Sequence, residues 1–324
     1  MDNRGDTGAR PASSYFCSLV IPTKNGGELF KRAVGALQKQ ARWNEVEFLI
    51  VDSGSTDGTV ETARAAGAKC FTIPPAEFNH GATRDFAISQ TSTDCIVLTV
   101  QDAIPNDPHM IEKLVAALED KTVAGVYGRQ IPQPDADVVT ARNLNAHFTA
   151  RLKREVRSLP IPQAFEAMTP VERYMLCNFD NVCSALRKSI WENDKFGRIN
   201  FGEDIDYAER VLKRGHKIVY EPAAAVIHSH DRPMSYEYKR TYLCHRKLYL
   251  QYELDIAPTV LRTIAGWISG TWGDLVYIVR TEMRWREKIS LMLKMPILNF
   301  LRGAATYVAV RDEKAGTVKV VRGV

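Results

Sequence analysis

Short apolar runs alternate with amphipathic stretches through the first 130 or so residues of the chain. Residues 17–22 (CSLVIP), 47–52 (EFLIVD), 70–73 (CFTI) and 96–100 (IVLTV) are apolar, rich in β-branched and aromatic side chains, and too short for helices, so they predict buried strands. Gly/Ser/Thr/Asn turns follow, and then helical spacings. Phe30, Val34 and Leu37 share one face, and residues 59–66 follow a turn in which Thr56 or Asp57 can act as the cap. Residues 109–118 predict another helix, with Met110, Leu114 and Leu118 on its buried side, and residues 122–127 another strand. Strands and helices in this alternation predict βαβ units, right-handed crossovers and a mostly parallel sheet.

Two of these strands end in a carboxylate, Asp52 and Asp102, along the carboxyl edge where open α/β sheets bind ligands. Asp102 is a candidate metal ligand there, although an acid capping the next helix accounts for it as well. Further on, His228 and His230 stand at i and i+2 of an extended segment and face the same way, so two imidazole ligands are geometrically possible. Residues 201–210 (FGEDIDYAER) open a helix with Glu203, Asp204 and Asp206 in its first turn, which the helix dipole favours even without a catalytic role. Residues 132–168 are polar and punctuated by proline. They predict a mobile loop, with a basic helical run at 150–155.

From Tyr236 the alternation stops and helical patterns take over, with 15 Lys/Arg against 8 Asp/Glu. That segment nets +7 in a chain of net +5, so everything before it nets −2 and an anionic partner would be met at the C-terminal end. Its basic residues carry no nucleic-acid recognition motif and are mixed with large apolar ones, which disfavours nucleic acid. Trp267, Trp272 and Trp285 among the basic residues suit helices lying in a lipid headgroup layer; a helical appendage or homodimer interface fits equally. No window reaches roughly 20 uninterrupted apolar residues, and residues 1–14 are polar, so a cytoplasmic protein with a frayed N-terminal tail (1–16) is expected. The six cysteines have no C-x-x-C pair and read as reduced core residues.

Several motifs in order carry a family resemblance. Residues 19–25 (LVIPTKN) and 50–59 (IVDSGSTDGT) resemble the opening of family-2 glycosyltransferases, which have the GT-A fold and use nucleotide sugars. Residues 78–85 (FNHGATRD), 100–105 (VQDAIP) and 127–132 (YGRQIP) resemble the rhamnosyltransferase branch of that family, and the likeness runs from about residue 17 to 234. It implies a GT-A, Rossmann-like sheet over 17–235, with 17–105 as the nucleotide half and 106–235 as the acceptor half, and a basic helical region at 236–324. By resemblance, Pro22, Thr23, Asp52, Gly81, Arg84, Gln101 and Asp102 hold the nucleotide sugar, with Asp52 accepting from base or ribose. Arg84 could instead be a structural ion pair with Asp85 or another acid. Arg129, Asp180 and Asn181 would touch the acceptor.

The implied chemistry needs a cation and a base. A diphosphate sugar carries about two negative charges, which Mg2+ or Mn2+ neutralises. Asp102 falls on the second acid of the family's D-x-D and Val100 on the first, a departure that removes a ribose contact. His228 would join Asp102 on the metal, with His230 the second choice. An acceptor hydroxyl must lose a proton as it attacks, and Asp204 matches the family's base, with Glu203 contacting the acceptor or orienting the loop. One carboxylate acting directly implies inversion. The resemblance therefore implies transfer of L-rhamnose from dTDP-β-L-rhamnose to a glycan or polyprenyl-linked acceptor at the inner membrane face. Transfer of another sugar from a UDP donor, or a sugar-binding partner without turnover, are the alternatives.

Overall fold

A computed structural model describes residues 15–230 and 232–317. Most of the expected N-terminal tail lies outside the described residues. Phe16, at its end, is held: its N–H donates to Glu45 O (2.8 Å), and the Arg42 guanidinium covers its ring at 3.6 Å.

Among the described residues nine strands form one sheet: β1 (Cys17–Thr23), β2 (Val46–Asp52), β3 (Lys69–Thr72), β4 (Cys95–Thr99), β5 (Ile104–Pro105), β6 (Val123–Ile131), β7 (Glu155–Arg157), β8 (Cys183–Arg187) and β9 (Lys217–Ile227). Their order is β3-β2-β1-β4-β8-β6-β9-β5, with β7 also pairing β9. The helices are α1 (Gly27–Leu37), α2 (Thr59–Ala65), α3 (His80–Ser89), α4 (Met110–Ala116), α5 (Val138–Asn145), α6 (Pro170–Leu176), α7 (Lys188–Trp191), α8 (Glu203–Lys213), α9 (Met234–Tyr252), α10 (Val260–Arg280) and α11 (Trp285–Ala315).

The expected strands in the nucleotide half are present and parallel: β1 pairs with β2 and β4, and β2 with β3. Every residue of β2 is buried, as its unbroken apolar run requires of a strand covered on both faces. Beyond β4 the sheet is mixed, because β8 runs antiparallel to both β4 and β6. β6 ends at the same edge as β4, the excursion 132–182 starts and finishes there, and β8 must run back down. One apolar cluster, on one face, joins α1 and α4 to the sheet; the other joins α3 and α8 to the opposite face.

Two local expectations are corrected. The basic run at 150–155 is not helical. Residues 155–157 pair with Tyr220, Val219 and Ile218 of β9, so the ladder satisfies this backbone and Arg157 reaches back to the carbonyls of Met175 and Leu176. The helix of this region lies earlier, as α5, where the Asp137 side chain accepts from the N–H groups of Val139 and Thr140. The six cysteines are free, three of them buried.

The chain turns at β1. It builds β2 and β3 on one side and then returns to lay β4 on the other, so the crevice between the carboxyl ends of β1 and β4 is a topological switch point. Beyond the sheet, α10 and α11 form an antiparallel hairpin resting on α5 through Val139, Ile278, Leu291, Met295 and Leu298. Asp274 of α10 is buried and clasped by Arg142 of α5 and by Asn299 Nδ2 of α11 (2.7 Å). Asp274→Ala removes the buried acceptor that both donors share and leaves Arg142 only its long contacts to Gly273 O (3.5 Å) and Asn143 Oδ1 (3.4 Å). We expect a loss of about 1–3 kcal/mol in urea denaturation, read as a lower midpoint at unchanged m-value.

Candidate active site

At the switch point a cavity of 1070 Å3 runs from Pro22 and Thr23, at the end of β1, past Asp102 to Gly266, Trp267 and Gly303 of the C-terminal hairpin. It exceeds the upper end of the usual range for a small-molecule pocket, about 300–1,000 Å3, and has room for two substrates. Gln101 locks its nucleotide-side wall: Oε1 accepts from Lys24 N (2.8 Å) and Nε2 donates to Lys24 O (3.0 Å), tying the loop after β1 to the end of β4.

Asp102, His228 and His230 form a group whose ligand atoms lie within 4.8 Å of one another. His228 Nε2 is 3.6 Å from Asp102 Oδ1 and His230 Nδ1 is 3.5 Å from Oδ2. Gln130, buried on β6, sets the His228 tautomer. Its Nε2 donates to Asp180 Oδ2 (2.7 Å), which turns Oε1 toward His228 Nδ1 (2.9 Å), so Nδ1 carries the proton and Nε2 presents a lone pair toward Asp102. Burial pushes the His228 imidazole down to about 4, so it is neutral near pH 7, the form that ligates a metal. One carboxylate and two imidazoles make a mixed oxygen and nitrogen set, which fits Mn2+ better than an all-oxygen ion site would require.

Three carboxylates gather on the other side of Gln130. Gly202, in the left-handed region (φ 73°), starts α8 with Glu203 and Asp204 in its first turn. Glu203 is buried against Arg84 Nη1 (2.9 Å) and accepts from Asn181 Nδ2 (3.1 Å). Burial pushes its carboxyl up, but Arg84, His80 and Asn181 outweigh burial and hold it below the ordinary range. Asp204 goes the other way: burial and the neighbouring charges of Glu203 and Asp180 hold it well above that range. Burial pushes Asp180 up to about 6. Adjacent carboxyls driven apart in this way are the pattern of a site that separates a fixed charge from a proton acceptor.

The structure sorts the residues singled out from sequence. Pro22, Thr23, Arg84, Gln101, Asp102, Asp180, His228 and His230 line the cavity. Asp52 does not: its oxygens accept from Thr23 Oγ1 (2.9 Å), Ser55 Oγ (2.5 Å), Gly54 N (2.9 Å) and Ser55 N (2.8 Å), so its lone pairs shape the loop and none is left for a base or ribose. Gly81 packs against residues 197–199, where a Cβ would come within 2.1 Å of Gly197 O, and makes no part of the cavity wall. Arg129 is also absent from the wall. Gln130, its neighbour, lines it instead, as strand alternation demands. Asn181 serves Glu203 and does not reach the cavity, and Glu203 and Asp204 stand behind Asp180. Arg84 is both a cavity residue and an ion pair, with Glu203 as the acid; Asp85 instead accepts from Trp191 Nε1, Phe196 N and Gly197 N. Gln130 was missed, and strand alternation counted back from the extended His228 segment was the signal that would have found it.

Residues 18–192, more than half of the chain, match the family Glycosyl transferase family 2. The chain is a family-2 glycosyltransferase. It is 32% identical over 231 residues to the O-antigen chain rhamnosyltransferase RfbN of Salmonella typhimurium, covering 69% of each chain, which supports the rhamnosyltransferase branch. Among solved structures, the transferase fold is shared with a mannosyltransferase from Pyrobaculum calidifontis in complex with GDP-Man and Mn2+ (TM-score 0.53, 15% identity, 94% of this chain and 76% of that). It is shared also with glucosyl-3-phosphoglycerate synthase from Mycobacterium tuberculosis in complex with Mn2+, UDP-glucose and phosphoglyceric acid (TM-score 0.51, 17% identity, 75% of this chain and 81% of that).

In this glycosyltransferase the Arg84–Glu203 pair is buried at the edge of the cavity, so removing one partner strands the other charge. Arg84→Met is expected to destabilise the enzyme by about 3–5 kcal/mol in chemical denaturation, whereas the double change Arg84→Met/Glu203→Leu recovers most of that loss. A single-variant loss below about 1 kcal/mol contradicts this account.

Proposed function

We propose that this enzyme transfers L-rhamnose from dTDP-β-L-rhamnose to a glycan or polyprenyl-linked acceptor in cell-surface polysaccharide synthesis, with inversion at the anomeric carbon. The observation that carries the proposal is the single cavity at the switch point, where Asp102, His228 and His230 are joined through Gln130 to Asp180 and its neighbour Asp204. The likeness to RfbN, named for O-antigen chain rhamnosyl transfer, supports the sugar and the pathway class. A divalent cation, Mn2+ or Mg2+, held by Asp102, His228 and His230 would neutralise the diphosphate and the charge left on the departing nucleotide.

The chain's own residues do the rest. Pro22 and Thr23 form the nucleotide wall, and Gln101 keeps that wall closed. Arg84 offers an Nε with no partner among the described residues, while its Nη1 holds Glu203 ionised. Asp204, its carboxyl held above the ordinary range, is a stronger base than an ordinary carboxylate and takes the acceptor proton. Asp180 is a competing base on one specific ground: it lines the cavity itself, and Asp204 does not.

The exposed apolar rows of the hairpin support attachment to an anionic bilayer. Ile264, Ile268 and Trp272 of α10 and Ile289, Leu293 and Ile297 of α11 face outward, beside exposed Arg262, Arg280, Arg284 and Arg286. No described helix is long and apolar enough to cross a membrane, so the hairpin would lie along the surface.

Two measurements test these readings. Asp204→Asn should lower the rate of rhamnosyl transfer about 10²- to 10⁴-fold at nearly unchanged dTDP affinity. A raised base is lost as pH falls through its pKa, so the acid limb of kcat lies above the usual carboxylate range. Asp180→Asn removes a neighbouring negative charge and should move that limb to lower pH. Loss of transfer in Asp180→Asn with turnover retained in Asp204→Asn assigns the base to Asp180. Flotation with phosphatidylglycerol vesicles at low salt should carry the enzyme upward. A protein that stays in the bottom fraction, or a stable homodimer whose contact covers these rows, refutes the attachment.

A further inference from the structure

Basic side chains lining the cavity are, with one exception, answered by a group on the protein. Arg84 pairs with Glu203 (2.9 Å), Arg232 approaches Asp102 (3.8 Å), Lys294 approaches Asp137 (3.6 Å), Arg302 pairs with Glu237 (2.5 Å), and Lys24 Nζ donates to Ser53 O (3.1 Å). Arg240 of α9 lines the same cavity and has no hydrogen bond or ion pair among the described residues. Glu237, one turn earlier on the helix, is turned to Arg302, to which its Oε2 is bonded.

The position of this free guanidinium is central. It shares the cavity wall with Asp102, His228 and His230 of the candidate metal group and with Asp180, whose ionised form its charge favours. Along α9, Glu237, Arg240, Thr241 and His245 fall at i, i+3, i+4 and i+8 and form one face on the cavity. The opposite face is anchored by Tyr242, packed against Ala305 and Ala309 of α11. The helix is therefore fixed, and the guanidinium projects from a rigid support.

We propose that Arg240 is a diphosphate-binding residue, its planar fork gripping the oxygens of a phosphate brought into the middle of the cavity. An unanswered guanidinium beside a candidate cation site and a nucleotide wall matches a polyanion held from two sides, and the fork geometry suits phosphate in a way a lysine would not. The same chemistry comes with either substrate: the diphosphate of the sugar nucleotide, or a diphosphate joining a glycan acceptor to lipid. The inference rests on reading the cavity as a nucleotide-sugar site. It goes further in placing a phosphate contact on α9, beyond the sheet and α8 that carry the rest of the site.

The test is titration calorimetry with Mn2+ present, using dTDP, thymidine and farnesyl diphosphate as probes on wild type, Arg240→Gln and Arg240→Lys. Arg240 is exposed and unpaired, so neither change should disturb folding. Arg240→Gln should weaken dTDP about 10- to 100-fold while thymidine, which has no phosphate, binds as before, and Arg240→Lys should recover part of the loss. Weakening confined to farnesyl diphosphate upholds the contact and assigns it to the acceptor. Affinities for both diphosphates within twofold of wild type overturn the proposal. A wild type that binds neither diphosphate removes the nucleotide-sugar reading first, and this inference with it.

Discussion

One buried ion pair joins α3 to α8 in this enzyme. Arg84 comes from α3, which follows β3, and Glu203 from α8, which follows β8, and both side chains are buried. Contacts beside the pair reinforce the joint. Gly81 N donates to Ile199 O (3.1 Å), Asp85 receives the N–H groups of Phe196 and Gly197, and Asn79 bonds Asn200. The loop leading into α8 is thus laid along α3, and the first turn of α8 starts where that loop leaves it. Residues 78–85, from which the resemblance suggested Gly81 and Arg84 as nucleotide contacts, form the bed for this loop, and Phe78, His80 and Arg84 face the cavity as well.

The electrostatic layout follows from that joint. Glu203 is kept ionised by a fixed guanidinium, and its charge in turn raises Asp204, which has no cation of its own as close. Asp180 is raised chiefly by burial and spends one oxygen on Gln130 and the other on Val182 N. Gln130 passes the orientation on to His228. Amides can do this without titrating, so the geometry of the Asp102 group is insulated from changes in charge among the carboxylates.

Much of the fold was legible because strands covered on both faces are nearly all apolar, and β1, β2 and β4 are of that kind. The i, i+2 spacing showed only that His228 and His230 could face the same way; that they meet Asp102 was implied by the family resemblance. The antiparallel entry of β8 could not, because it depends on where a 50-residue excursion returns to the sheet. The choice between Arg129 and Gln130 turned on a single step of register, and the β6–β9 ladder shifts between Gly128 and Arg129. Such a slip exchanges the two faces of a strand. Asp52 was misjudged for another reason: a carboxylate followed by Ser53, Gly54 and Ser55 can fold the donors back onto itself, and spacing alone does not show whether lone pairs remain. The run at 150–155 has helical composition, but β9 offered it an open edge.

The wall of the cavity formed by α9, α10 and α11 follows the segment shared across the family, and the hairpin meets that segment through an apolar contact on Val139 of α5 and the buried clasp of Asp274 with Arg142. The carboxyls of Asp180 and Glu203 and the imidazole of His228 are positioned by partners on the sheet, α3 and the loop before β8. Substitutions along Gly266, Trp267, Leu298 and Gly303 can therefore reshape one side of the chamber while the chemistry opposite stays intact. In such an architecture the outline of the chamber can drift between lineages on the hairpin side while the chain from Asp180 through Gln130 to His228 keeps its geometry.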